Sequence, residues 1–179
     1  MRCTLVCGAA VAMLSSAASA DFVITLNNFA ATGFQFAQAV AAGQLTGTLS
    51  GVSVNATLTS STAFTYADDL CVYVDVLPLS TQGMVQVGGY SDLGAQQRYF
   101  WPSGASDAIG TVVAGEAVFT TGVDMATPNL AIWIGNGYGA AGTAGTWSGT
   151  ITLHGVTAVP APGAFALLAL AGFVGRRRR

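Results

Sequence analysis

Leu70-Cys71-Val72-Tyr73-Val74-Asp75-Val76 carries an apolar side chain at every second position: Leu70, Val72, Val74 and Val76 on one side, Cys71, Tyr73 and Asp75 on the other. A repeat of two is the period of an extended strand, whose successive side chains point to opposite faces. One strand cannot stand alone, because its backbone donors and acceptors are satisfied only across a sheet. Partners are legible in the same way. Val52, Val54, Ala56 and Leu58 alternate with Ser53, Asn55, Thr57 and Thr59. Leu130, Ile132 and Ile134 alternate with Ala131 and Trp133, and Trp147, Ile151 and Leu153 with Ser148, Thr150, Thr152 and His154.

Outward from these four strands, fainter ones are expected over 22–26, 84–88, 109–113 and 117–121, separated by turn-rich pieces at 79–83, 103–107 and 135–145. In those turns glycine supplies backbone angles that other residues avoid. Residues 34–42 open like a strand, Phe34-Gln35-Phe36, and continue into an alanine-rich run of helical preference; strand followed by loop is the expectation there. No stretch between strands has the ten or more helical residues that a doubly wound α/β fold requires. The expected class is all-β, an antiparallel β-sandwich of jelly-roll type, with a signal helix before it and a short hydrophobic helix after it. The body shows neither internal repeat nor linker. Its alternating Val, Leu, Ile and Trp, at about 1.5–3 kcal/mol for each buried side chain, suffice for a core without disulfides.

Charge divides the chain sharply. Only 8% of residues are charged, against roughly 25% in ordinary globular proteins, and lysine is absent. Arg2 and Arg176 to Arg179 lie at the two ends, which leaves Arg98 against eight acids in the body, a net charge near −7. Such a surface excludes binding to nucleic-acid phosphates, whose affinity comes from neutralising lysines and arginines. Cys3 and Cys7 fall in the leader and Val6 rules out lipid attachment at Cys7, so Cys71 is left without a disulfide partner. With no histidine near it in sequence, Cys71 reads as a half-buried strand residue rather than a nucleophile.

Candidate chemistry is sparse. Gly137-Tyr138-Gly139-Ala140-Ala141-Gly142 has the spacing of a dinucleotide fingerprint, but the chain beyond it is strand rather than helix and no acid follows Asp124. It reads as a hairpin loop. His154 is the sole histidine, and with no G-x-S-x-G elbow in the chain it reads as a surface residue. Asp68, Asp69 and Asp107 lie in or beside loops, where carboxylates bind calcium in sandwich domains; the competing reading is a set of solvated acids that keep a lysine-free protein soluble. A hydrolase would need two such acids to converge in a cleft. Tyr99, Trp101 and Tyr138 are candidates for stacking on sugar rings, against the commoner use of aromatic side chains in packing. Asn55-Ala56-Thr57 is a formal glycosylation sequon.

The ends carry addresses. Residues 1–20 have the parts of a secretory signal: Arg2, an apolar stretch over 5–14, and Ala18-Ser19-Ala20 as the small-residue exit for signal peptidase, with the mature chain starting at Asp21. Residues 159–179 run from the helix-breaking Pro160-Ala161-Pro162-Gly163 through twelve apolar residues to Arg176-Arg177-Arg178-Arg179. As a helix those twelve residues span about 18 Å, short of the roughly 30 Å hydrocarbon core. The arginines would stay cytoplasmic.

This ending closely resembles the PEP-CTERM sorting signal of exopolysaccharide-producing Gram-negative bacteria, in the Pro-Ala-Pro-Gly variant common in planctomycetes, with Ala161 where the family has its name-giving glutamate. The resemblance implies export through the Sec machinery, a transient hold at the inner membrane, processing by an exosortase, and release to the cell surface or matrix. Between residues 43 and 155 the body resembles the P domain of subtilisin-like proprotein convertases. That likeness rests on Asp69-Leu70 with the alternating valines and Pro78, and on Gly145-Thr146-Trp147 running into Thr150-Ile151-Thr152-Leu153-His154-Gly155. It implies a non-catalytic jelly roll, in some members with calcium, and carries over no binding residue. The expected organisation is therefore a signal peptide over 1–20, a sandwich over 21–158 and a sorting segment over 159–179. The expected function is that of an exported surface or matrix protein that is not an enzyme, with exopolysaccharide binding through exposed aromatics as the alternative.

Overall fold

The computed structural model describes residues 21–77 and 83–160. The expected signal helix, the apolar tail with its four arginines, and the expected turn at 79–83 except for Gly83 lie outside those residues. Among the described residues nine strands follow one another: β1 (Phe22–Thr32), β2 (Phe36–Val40), β3 (Leu45–Thr62), β4 (Leu70–Asp75), β5 (Val85–Val87), β6 (Gln97–Tyr99), β7 (Val112–Asp124), β8 (Ala131–Asn136) and β9 (Ala144–Ala158). A 3-10 turn, Ala67–Asp69, leads into β4. Among the described residues no helix is long and apolar enough to cross a membrane.

The strands form two sheets. The first has the order β1-β9-β3-β7 and is antiparallel throughout. The second has the order β2-β8-β4-β5-β6, antiparallel except for the parallel pair β5 and β6. The period-two pattern explains how they meet. On β3 the buried Val52, Val54, Ala56 and Leu58 face one way, with Ser53, Asn55, Thr57 and Thr59 facing the other. Ile151 and Leu153 of β9 stand opposite Val54 and Val52 in register, and this apolar face shares one core with Val72, Val74, Ile132 and Ile134 of the second sheet. The chain is thus an all-β, sandwich-like fold, as the alternation implies.

Strand β4 departs from expectation. All six of its residues are buried, including Cys71, Tyr73 and Asp75, which the alternation alone would turn to solvent. Over Tyr73 the cause is a roof made by the connection from β5 to β6. Tyr73 donates its hydroxyl proton to the carbonyl of Leu93 at 3.1 Å. Gln86, opposite Tyr73 in register, donates to the carbonyl of Ser91 at 2.8 Å and accepts from the backbone N–H of Leu93 at 2.9 Å. Polar side chains satisfied in this way can be buried without the penalty of lost hydration. Cys71 under the roof is wholly buried rather than half-buried, and burial pushes its thiol up to about 12, which makes it an inert core residue.

Other expectations shift in position. The strand expected at 34–36 begins instead at Phe36 and runs to Val40, because pairing with β8 overrides the helical preference of its alanines, while Phe34 turns the chain at a φ of 55°. The pieces at 109–113 and 117–121 are one continuous strand, β7, that starts at Val112 and leaves Ile109 exposed. Strand β6 has no counterpart in the sequence pattern.

Candidate ligand pocket at the loop end

Three connections meet at one end of the sandwich: 63–69, 88–96 and 137–143. The two carboxyl-bearing residues of the 3-10 turn hold them together by their main chains. The carbonyl of Asp68 accepts the N–H of Gly89 at 2.8 Å, the carbonyl of Asp69 accepts the N–H of Gly137 at 2.8 Å, and the carbonyl of Gly137 accepts the N–H of Ser91 at 2.9 Å. Gly89 and Gly137 then touch backbone to backbone; a Cβ on Gly137 would stand 2.6 Å from the Cα of Gly89. That closeness is why glycine is needed at both places. It also sets the adjacent Tyr90 and Tyr138 edge to face, with ring centroids 5.6 Å apart and planes at 80°. The glycine-rich run 137–142 therefore connects two strands and lets two loops approach each other.

Phe64 and Tyr66 complete the wall. Ala63 and Phe64 both occupy left-handed backbone, at φ 51° and 61°, a conformation that costs a non-glycine residue about 1–2 kcal/mol. Ser61 and Thr65 hold it, their hydroxyls donating to the carbonyls of Thr65 at 2.7 Å and Thr62 at 2.9 Å. The result is that Phe64 is 74% exposed at the same site as Tyr90, which is 78% exposed. Phe64, Tyr66, Tyr90 and Tyr138 line a cavity of about 210 Å³ that also reaches Asp69. A smaller cavity of about 110 Å³ adjoins it over Asp68 and Phe100.

Beneath the rings lie carboxylates. Asp69 is buried and accepts the N–H of Tyr66 at 2.7 Å and the N–H of Tyr90 at 3.2 Å. Burial, with a smaller contribution from the neighbouring Asp68 charge, raises its carboxyl to about 6. Asp68 is raised in the same direction by burial, and its Oδ1 is buried without a hydrogen-bond partner. Among the described residues neither carboxylate has an ion-pair partner. Arg98 is the only arginine of the body. Its guanidinium donates to the carbonyls of Tyr99 and Gly89 and lies 4.0 Å from the centre of the Phe100 ring.

The residues singled out from sequence are distributed unevenly around this site. Tyr138 is on its rim and Asp69 at its floor, with Asp68 in the adjoining cavity. Trp101 is 6% exposed and donates its indole N–H to the carbonyl of Leu70 at 2.7 Å, so most of its ring packs in the core and only an edge of it borders the adjoining cavity. Tyr99 is half-buried and stacked on Phe119 at 5.3 Å, its hydroxyl engaged with Gln97 and Thr120. That ring ties β6 to β7. Asp107 does not join the other two acids; among the described residues no group of three acidic, histidine or cysteine side chains converges as a metal ion would require.

A second cluster, on the outer face of the first sheet, was not anticipated. His154 Nδ1 lies 3.1 Å from Asp21 Oδ2, and its Nε2 lies 2.6 Å from Ser53 Oγ and 3.9 Å from Glu116 Oε1. With Nδ1–H donated to Asp21, Nε2 accepts the Ser53 hydroxyl proton. Strand register does the assembling: Ser53 stands opposite Thr152 on one side and Glu116 on the other. Comparison with protein-family models, curated proteins and solved structures returns no match.

Proposed function

We propose that this chain is an exported surface or matrix protein whose sandwich binds carbohydrate at the loop end, without catalysis. The observation that carries the reading is the pocket. Aromatic rings present apolar faces suited to the C–H faces of a sugar ring, and buried carboxylate and backbone groups between them give hydroxyls something to bond. The strand order supports a jelly roll. With β6 set aside as an addition, β1 lies beside the last strand and β2 beside the last but one, with β3 and β4 one place further in each sheet. Lectin domains use that architecture.

The leader ending in Ala18 and Ala20 supports Sec export and signal-peptidase cleavage, and the tail from Pro160 to Arg179 supports a transient inner-membrane hold and exosortase-type processing before release. Binding is tested by isothermal titration of the secreted protein with the exopolysaccharide of its own host, beside the Tyr90→Ala and Tyr138→Ala variants. Saturable binding weakened at least about tenfold in each variant is expected; absence of binding by the wild type overturns the carbohydrate reading. Mass spectrometry of the extracellular form tests sorting, and a chain still ending in Arg176 to Arg179 overturns it.

A further inference from the structure

We infer that the loop-end pocket selects a sugar bearing a protonated amine, the ammonium group lodging among Phe64, Tyr66, Tyr90 and Tyr138 above Asp69. This rests on the carbohydrate reading and narrows it to amino sugars. The first ground is charge balance. A buried carboxylate is costly without a cation beside it, yet none pairs with it among the described residues: the chain has no lysine, and Arg98, the one arginine described, directs its guanidinium to two carbonyls and the Phe100 ring. The second ground is the wall. Aromatic faces carry negative potential and attract organic cations, most strongly where several enclose one site out of water. A rim of four rings over an acidic floor therefore favours a cation on both counts.

Competing occupants fit less well. Calcium takes six to eight oxygen ligands, whereas the lining here is four aromatic side chains and a single carboxylate. A uronic acid would bring a second negative charge to an uncompensated one. A neutral sugar would stack but leave the carboxylate charge unanswered. At about 210 Å³ the cavity is below the roughly 300–1,000 Å³ of sites for drug-sized ligands, which suits one ring or one terminal group rather than a chain segment.

The same ammonium chemistry is found on simple quaternary amines, so the test has arms for both sources. Titration calorimetry of the secreted protein near pH 6.5 compares a glucosamine tetramer, its N-acetylated counterpart, a uronic-acid tetramer and choline. The glucosamine tetramer is expected to bind at least about tenfold more tightly than the acetylated one, with choline weaker and the uronate not binding. The Asp69→Asn variant, checked for folding by circular dichroism, should erase the preference; Asp68→Asn, which leaves both Asp69 hydrogen bonds in place, should reduce it. Equal binding of the two neutral-backbone tetramers overturns the ammonium inference and leaves the carbohydrate reading standing. Choline binding as tightly as the glucosamine tetramer, with no binding of the acetylated one, supports the ammonium site and overturns its assignment to sugars. No binding in any arm overturns both.

Discussion

At the loop end, four aromatic rings line a cavity above carboxylates that have no ion-pair partner among the described residues; on the flank, Ser53 and Asp21 each stand within hydrogen-bond distance of His154 on an open strand face. The flank has the order of groups found in serine hydrolases, a hydroxyl, an imidazole and an acid that orients it. It lacks the surroundings that make such a row reactive. Ser53 is paired on both sides within the sheet, so its backbone N–H belongs to the ladder and is not aimed at a developing oxyanion. The Asp21 and Glu116 side chains are 45% and 55% exposed, and water screens their charges. The loop end has the reverse endowment: concavity and desolvated charge without a nucleophile. Aligned atoms make a hydrogen-bond network, and a recess with apolar walls is what gives a ligand surface to bury.

That contrast can be broken most violently through the core. Trp147 is fully buried and donates its indole N–H to the carbonyl of Ala67 at 3.0 Å, at the base of the pocket. Trp147→Ala should lower stability in urea unfolding by about 3–5 kcal/mol and abolish ligand binding. If binding persisted, the pocket would not depend on the core. Tyr90→Ala comes next, with a tenfold or greater loss of affinity and little change in unfolding midpoint, since the ring is mostly exposed.

Acidity sharpens the comparison further. Asp69 ionises near 6 in the folded chain against 3.8 for the ordinary group, and Asp68 moves the same way. Below 3.8 both folded and unfolded chains hold the proton and the group is neutral in its effect. As pH rises from there towards 6 the unfolded chain gives up its proton first, so Asp69 makes stability fall across that window and adds no further change above it. Melting scans of wild type and Asp69→Asn should show the difference between them changing between about pH 4 and 6.5. Choline, whose charge is permanent, should bind severalfold more weakly at pH 4.5 than at 7.5, because the carboxylate that holds it is then protonated. A flat profile would remove Asp69 from the site. The smallest effects belong to the flank: His154→Ala should change stability by about 1 kcal/mol or less and leave ligand affinity unaltered. Ser53 should resist labelling by a fluorophosphonate, and labelling that depends on His154 would turn the comparison upside down.

How much of this the sequence discloses depends on how far apart the determining contacts lie. The faces of β3 and β9 are readable from a period of two because each has one side in the core and one towards solvent. The outer face of β4 is not, since what covers it is Gln86 and the segment around Leu93, and no local pattern announces a roof. At the site, Tyr99-Phe100-Trp101 draws attention as a run of rings, but extended backbone sends neighbours in different directions, and the exposed one is Phe100. The informative stretch was Phe64-Thr65-Tyr66-Ala67-Asp68-Asp69, with rings and carboxyls directly before a strong strand. The flank cluster was hidden altogether, since Ser53 and His154 are 101 positions apart and only register unites them.

Strand β9 lies between β1 and β3, so the centre of the first sheet is the last part of the body to be synthesised. Under the export proposal, a chain threaded outward from its amino end cannot complete this sheet progressively behind the translocation channel. β1 lacks its partner β9, and one side of β3 stays open, until residues 144–158 arrive. Folding is then governed by pairings between distant parts of the chain, which are slow to form. Under the sorting proposal the sheet closes at the membrane surface, and a tail that detains the chain there also gives it time to finish folding before release.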